Sequence, residues 1–330
     1  ARGAVAVERI GKAGTADAVV PRTGGPKLVF RGVRASIPRC GIEASFTSLA
    51  AGDAAFEEEG AEFSSGKETD GKRAEMGARE FPAGRRTGLL FHEIMERTDF
   101  PRACREDLAK TVTALLPRRG FDAEEWSPVV VDTVLSAIDA PFGKDDAGLR
   151  AIDSSARLDE LRFVFPAQKP GTGKEITAEA LCEALRACGG DGFGARCAER
   201  ARDLVFERFS GFVSGAIDLV YARGGKWFIA DYKTNRLGPR PEDFGIISLE
   251  RAMLQHHYYL QYHLYALALH RYLRVRVPGY DYDAGFGGVR YLFLRGMRPG
   301  SELGVFAARP ARAVVEALDA LFAEEGRVTP

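Results

Sequence analysis

No apolar run in this 330-residue chain approaches the roughly 20 residues needed to cross a bilayer, which excludes a membrane-spanning helix and predicts a soluble, cytoplasmic protein with no membrane partner. Cysteine is also scarce. Cys40, Cys104, Cys182, Cys188 and Cys197 are odd in number and irregularly spaced, so a disulfide framework or a zinc site is not expected and free thiols in a reducing compartment are. Net charge is absent too, because 46 basic and 46 acidic side chains cancel; a protein gripping nucleic acid through its overall charge is thereby excluded, and any such contact must be local. The first residue is Ala1 rather than Met, which suggests part of a longer chain.

Two familiar motifs are incomplete. Around the string PGTGKE at 170 to 175, Gln168 and Glu175 stand where a phosphate loop requires Gly and Ser or Thr, so no ATP site is expected and the string reads as a turn. HEIME places Glu96 where the H-E-x-x-H zinc-protease signature needs its second histidine. With 45% hydrophobic and 28% charged residues, the chain has the composition of a globular protein that can bury a large core.

Residues 1 to 86 read as a flexible lead-in and linker: a short strand is expected at 27 to 36 (KLVFRGVRAS), and the Glu-, Gly-, Ser- and Lys-rich stretch from 50 to 86 is too polar to pack. A domain is expected from 87 to 330. GLLFHEIMERTDF (88 to 100) predicts an amphipathic helix stopped by Pro101, with further helices to about 140. RLDELRFVFP (157 to 166) predicts a strand, 177 to 202 helix, 250 to 274 one long helix, 285 to 296 a buried strand and 310 to 325 a closing helix. GFVSGAIDLVYA (211 to 222) and KWFIADYK (226 to 233) are apolar strands joined through Arg223, Gly224 and Gly225, a hairpin signal. The pattern is mixed α/β.

The hairpin carries the chemistry. With a two-residue Gly224-Gly225 turn, counting outward sets Arg223 against Lys226, Ala222 against Trp227 and Asp218 against Asp231. Opposed carboxylates repel unless compensated, and a divalent cation compensates them. Lys233, two residues beyond Asp231, shares their face. Two acids and an amine suit phosphodiester hydrolysis: hard oxygen ligands hold Mg²⁺, and an ammonium places the attacking water. Phe228, Ile229, Ile217, Leu219 and Val220 make these strands too apolar for a solvated salt-bridge face.

His92, taken alone, reads more readily as a packing or surface residue than as a ligand; Glu96, four residues on, shares its helical face, so the pair could reach a common ion or water. On the long helix, Gln261 and Tyr265 lie within a stripe with Leu254, Tyr258, Ala268 and Tyr272, equally compatible with a core face and with DNA contact. Of His256, His257, His263 and His270 on the same segment, most are expected to be exposed.

Together these motifs resemble the PD-(D/E)xK nuclease superfamily, and within it the RecB-type C-terminal nuclease domain of the exonuclease V beta subunit. GLLFHEIMERTDF resembles that family's His-bearing helix, GFVSGAIDLVYARGGKWFIADYKTNRLG its catalytic hairpin, and LQYHLYALALHRYL followed by YDYDAGFGGVRYLFLRG its helix and last strand; ASFTSL (44 to 49) resembles the segment leading in. The resemblance implies a restriction-endonuclease-like core, a mixed sheet flanked by helices. It further implies His92, Asp218, Asp231 and the carbonyl of Tyr232 as metal ligands, Lys233 as catalytic lysine, Glu160 as a further catalytic acid, and Gln261 with Tyr265 as the family's Q-x-x-x-Y pair, here expected to bind DNA. The implied cofactor is Mg²⁺, with Mn²⁺ or Ca²⁺ able to occupy the site. The implied partners are DNA, mainly single-stranded, a helicase region of the parent chain, and RecC-like and RecD-like subunits. No helicase motif is present here. The alternative is a catalytically idle DNA-binding or scaffolding module, against which the complete acidic pair and lysine count.

Overall fold

The computed structural model describes residues 42–45, 81–144, 146–167, 176–187, 192–204 and 211–322. The strand expected at 27 to 36, most of the expected linker and the 170 to 175 turn lie outside the described residues. Packed structure is nevertheless described just before residue 87. Phe81 is buried with its ring against Phe91, Phe121 and Trp126, and the first helix starts at Arg85, so the apolar side chain of Phe81 anchors the end of the expected linker.

The described helices are α1 (Arg85–Arg97), α2 (Arg105–Leu115), α3 (Ala123–Asp139), α4 (Ala178–Arg186), α5 (Phe193–Arg200), α6 (Ile246–Gln255), α7 (Tyr258–Arg276), the single turn α8 (Tyr282–Gly285) and α9 (Arg312–Leu321). The strands are β1 (Ile42–Ser45), β2 (Arg157–Ala167), β3 (Gly211–Arg223), β4 (Lys226–Lys233), β5 (Phe286–Phe293) and β6 (Val305–Ala308). They form one mixed sheet. β3 pairs antiparallel with β2 along one edge; on its other edge it pairs with β1, parallel, at Gly211–Ser214 and with β4, antiparallel, at Leu219–Arg223. β4 continues parallel to β5, and β5 antiparallel to β6, a strand too short to stand out in the sequence.

The hairpin register is the one that turn chemistry dictates. Gly224 and Gly225 take φ of 57° and 76°, the doubly positive conformation of a two-residue turn that matches strand twist, and Arg223↔Lys226 and Ala222↔Trp227 follow. The expected long helix is broken. His257 adopts φ 52°, ending α6 before α7 begins, and its Nδ1 lies 3.1 Å from the Tyr259 hydroxyl. The expectation of exposed histidines also fails: His257 and His263 are buried and His256 and His270 half-buried, because α7 is the central helix, enclosed on every side along Tyr258–Leu269.

Two cores sandwich the sheet. Leu90, Phe91, Ile94 and Met95 of α1 pack with α2 and α3 against Leu219, Tyr221, Ala230, Tyr232 and Leu292. On the opposite face α4, α5, α6, α7 and α9 pack against Val213, Ile217, Val220, Ile229, Val289 and Tyr291. The alternation of β3 therefore shifts at Asp218: Val213 and Ile217 face the second core, whereas Leu219 and Tyr221 face the first. A one-residue shift moves side chains to the other face of a strand. That shift occurs beside the site described next.

Candidate active site

Three carboxylates lie in a row across adjacent strands. The pairs Asp159↔Leu219 and Leu161↔Ile217 set Glu160 opposite Asp218, and the last hairpin pair, Leu219↔Ala230, leaves Asp231 as the next residue of β4 beside Asp218. Glu160 itself has φ 51°. A non-glycine residue in that left-handed region inside a strand is strained by about 1–3 kcal/mol. The distortion coincides with the shift in β3, so both strands switch faces at the position that carries their acids. Beyond Leu219↔Ala230 the β3–β4 ladder stops, and Asp218 Oδ2 accepts the Tyr232 N–H at 2.9 Å in place of a backbone carbonyl.

His92 reaches this fork from α1. Its Nδ1 is 3.5 Å from Asp218 Oδ1 and its Nε2 3.0 Å from the Tyr232 carbonyl. His92, Glu160 and Asp218 each offer a ligand atom within 4.8 Å of the others. Asp231, expected in the same ligand set, is not part of that trio: its Oδ2 lies 2.7 Å from Lys233 Nζ, an ion contact that is its only partner among the described residues, although the carboxylate is 1% exposed. Glu96 is exposed and outside the trio.

Burial, and after it the charge of Asp231, pushes the pKa of Asp218 up to about 7 against the opposing pull of His92, Lys233 and the Tyr232 N–H. Burial raises Glu160 as well, with His92 opposing it. Carboxylates crowded and dried in this way call for a cation. The donors are two carboxylates, an imidazole and a nearby carbonyl, with a third, under-partnered carboxylate oxygen beside them; a mainly oxygen set fits a hard divalent ion better than zinc.

Lys233 is held from the α7 side. Its Nζ donates to Gln261 Oε1 at 3.0 Å, and lies 4.1 Å and 5.3 Å from the ring centroids of Tyr258 and Tyr291. Tyr291 also donates its hydroxyl to Gln261 Oε1, at 3.0 Å, and Gln261 Nε2 donates to the Tyr265 hydroxyl at 3.0 Å. Gln261 and Tyr265 are thus brought to the site, where both are buried and Gln261 bonds the lysine.

Sequence reasoning missed Tyr291 and Arg295, and placed Tyr258 in the helix stripe without its contact to Lys233. Tyr291 is opposite Asp231 in the parallel β4–β5 register, a relation that no local pattern reveals. Arg295 did leave a signal, a charged residue directly after an apolar strand. It is buried and donates to the carbonyls of Phe81 (2.6 Å), Pro82 (2.8 Å) and Thr234 (2.6 Å), tying the entry of the His92 helix to the exit of the Lys233 strand.

Comparison with known proteins agrees with this geometry. Residues 70–327 match the PD-(D/E)XK nuclease superfamily. The RecBCD enzyme subunit RecB of Escherichia coli (strain K12) is 32% identical over 245 residues, covering 74% of this chain and 20% of that protein. RecB of Haemophilus influenzae is 33% identical over 245 residues (74% and 19%), and RecB of Mycobacterium tuberculosis 34% over 272 residues (75% and 24%). The chain spans about a fifth to a quarter of the length of these relatives.

Proposed function

The chain belongs to the PD-(D/E)XK nuclease superfamily, and on that premise we propose that it is the DNA-cutting domain of a RecB-like protein, hydrolysing phosphodiester bonds of single strands with Mg²⁺ as its natural cofactor. The observation that carries this reading is the row Glu160, Asp218, Asp231 with His92 at one end and Lys233 at the other.

In this reading His92, Glu160 and Asp218 would hold the ion, with the Tyr232 carbonyl and Asp231 as further oxygen donors. When bound, the ion neutralises charge on the phosphate and lowers the pKa of a water. The protein does the rest. Asp218 is fixed by the Tyr232 N–H and so presents one oxygen to the fork. Lys233, charged and oriented by Gln261 and the two tyrosine rings, hydrogen-bonds the attacking water and stabilises the developing charge. The strain at Glu160 is the cost of aiming its carboxylate at the same point.

We further propose that the domain works in the cytoplasm on strands fed by the helicase region of its parent chain, with RecC-like and RecD-like subunits in double-strand break repair and recombination. No helix among the described residues is long and apolar enough to cross a membrane. The test is incubation of the purified chain with end-labelled single- and double-stranded DNA under Mg²⁺, Mn²⁺, Ca²⁺ or chelator. Cleavage that needs metal and disappears in Asp231→Ala and Lys233→Ala supports the reading. Full cleavage in either variant sinks it.

A further inference from the structure

The carboxylate row marks the edge of a helical layer. On the α1–α3 face of the sheet, the core uses Leu219 and Tyr221 of β3, all beyond Asp218, and no described residue from the preceding half of β3 or from the following half of β2. In that half Phe163, Phe165, Val213 and Ile217 face the opposite core. Their alternates, Arg162, Val164, Phe212, Ser214 and Ala216, therefore share the bare face.

The register makes these residues contiguous, with Arg162↔Ala216, Val164↔Ser214 and Pro166↔Phe212. Val164 is 65% exposed and Phe212 49%. Arg162 is exposed, two residues from Glu160, and among the described residues has no hydrogen bond or ion pair. The floor is continuous with the active site at one end and presents there a cation that makes no ion pair among the described residues and lies in the field of Glu160, two small residues along its middle and a half-exposed aromatic ring further out. At about 3.3 Å per residue, Phe212 lies roughly 20 Å along β3 from Asp218. A cation for the backbone and an aromatic platform for a base is the combination that binds single-stranded nucleic acid without reading its sequence. A duplex offers no free base face to such a ring.

We propose that this bare face of β2 and β3 is the floor along which a single DNA strand lies as it enters or leaves the active site, with Arg162 pairing to a phosphate beside the scissile one and Phe212 stacking on a base. The proposal rests on the nuclease reading above for its substrate. A second copy of the chain, or another part of the parent protein, would also cover apolar side chains, but neither calls for an exposed arginine at the margin of the carboxylates.

The experiment measures binding of a fluorescein-labelled oligo(dT) and a duplex of equal length to the whole chain by anisotropy, in chelator, over a range of salt. Phe212→Ala is expected to weaken single-strand binding about tenfold, with Phe212→Trp restoring it and duplex binding little altered. Arg162→Gln is expected to lower the slope of log affinity against log salt by about 0.7. Val275→Ala, at an 83% exposed position on α7, serves as the control and leaves affinity unchanged. Absence of oligo(dT) binding by the wild type, or unchanged affinity and slope in the two variants, overturns the proposal. Metal-dependent hydrolysis of bis(p-nitrophenyl) phosphate by the wild type is measured alongside; its failure with Phe212-dependent binding intact would remove the nuclease reading and leave the strand path standing.

Discussion

Asp218 accepts the backbone N–H of Tyr232 through Oδ2 at 2.9 Å, so a carboxylate stands in for a ladder carbonyl where β3 and β4 part. The same side chain therefore serves structure and the proposed metal site, and substitutions can separate the two. Asp218→Asn keeps an acceptor for the N–H and removes a charge that repels Asp231. Metal-free Asp218→Asn is expected to melt at or above the wild-type temperature, whereas Asp218→Ala loses about 1–3 kcal/mol by orphaning a buried N–H. Neither should cut DNA. Thermal melts with and without Mg²⁺ check this, since Mg²⁺ should raise the wild-type melting temperature and leave both variants unmoved; equal destabilisation of Asn and Ala would refute the assigned hydrogen bond.

Glu160 permits a second separation, because its φ of 51° suits glycine. Glu160→Gly and Glu160→Ala both remove the carboxylate, but only glycine relieves the backbone. The glycine variant should be the more stable of the two by about 1 kcal/mol in chemical denaturation, with metal affinity reduced equally in both by titration calorimetry. An alanine variant as stable as glycine would mean that the strand relaxes once the acid is gone.

How much of this is legible in the sequence follows from the range of the interactions. The Gly224-Gly225 turn is local chemistry, so counting outward from it sets Asp218 against Asp231 from residue order alone. Glu160 is opposite Asp218 through a pairing between strands over 50 residues apart in sequence, and only family resemblance points to it. His92 likewise needs α1 to be docked on the sheet. The break at His257 is hidden because an apolar helical period runs through it; a single left-handed residue leaves no periodic trace. Gln261 and Tyr265 stand out in the sequence, but the helical stripe that carries them does not reveal the bonds of Gln261 to Lys233 and to Tyr265, which depend on how the helix docks on the sheet.

The Gln261 side chain links the proposed catalytic lysine to two phenols, which makes it a positioning residue. Gln261→Leu preserves size and burial but removes the acceptor for Lys233 and Tyr291. It is expected to lower kcat for DNA cleavage about 10- to 100-fold, the range of a mispositioned polar group, with KM little changed. Gln261→Glu restores an acceptor and should recover part of the rate. A pure KM effect would return Gln261 to the role of DNA contact.

His263 offers a stability prediction independent of the active site. Burial lowers its pKa to about 4, with the Tyr259 carbonyl, 2.7 Å from Nδ1, opposing the shift. The unfolded chain protonates this histidine near 6.5 and the folded chain does not until about 4, so between those values the unfolded state binds more protons and stability falls as pH falls. The contribution is intact above 6.5. Asp218 acts in the opposite sense in metal-free protein: its raised pKa gives stability at low pH that is lost as pH rises toward 7. The wild type alone would mix the two, but the difference between wild type and His263→Gln isolates the histidine, because Asp218 is common to both. Denaturant melts at about pH 7 and about pH 5 should show the wild type losing about 2 kcal/mol more than the variant over that interval. Equal losses would place a charged, solvated His263 in the folded protein and contradict its burial within α7.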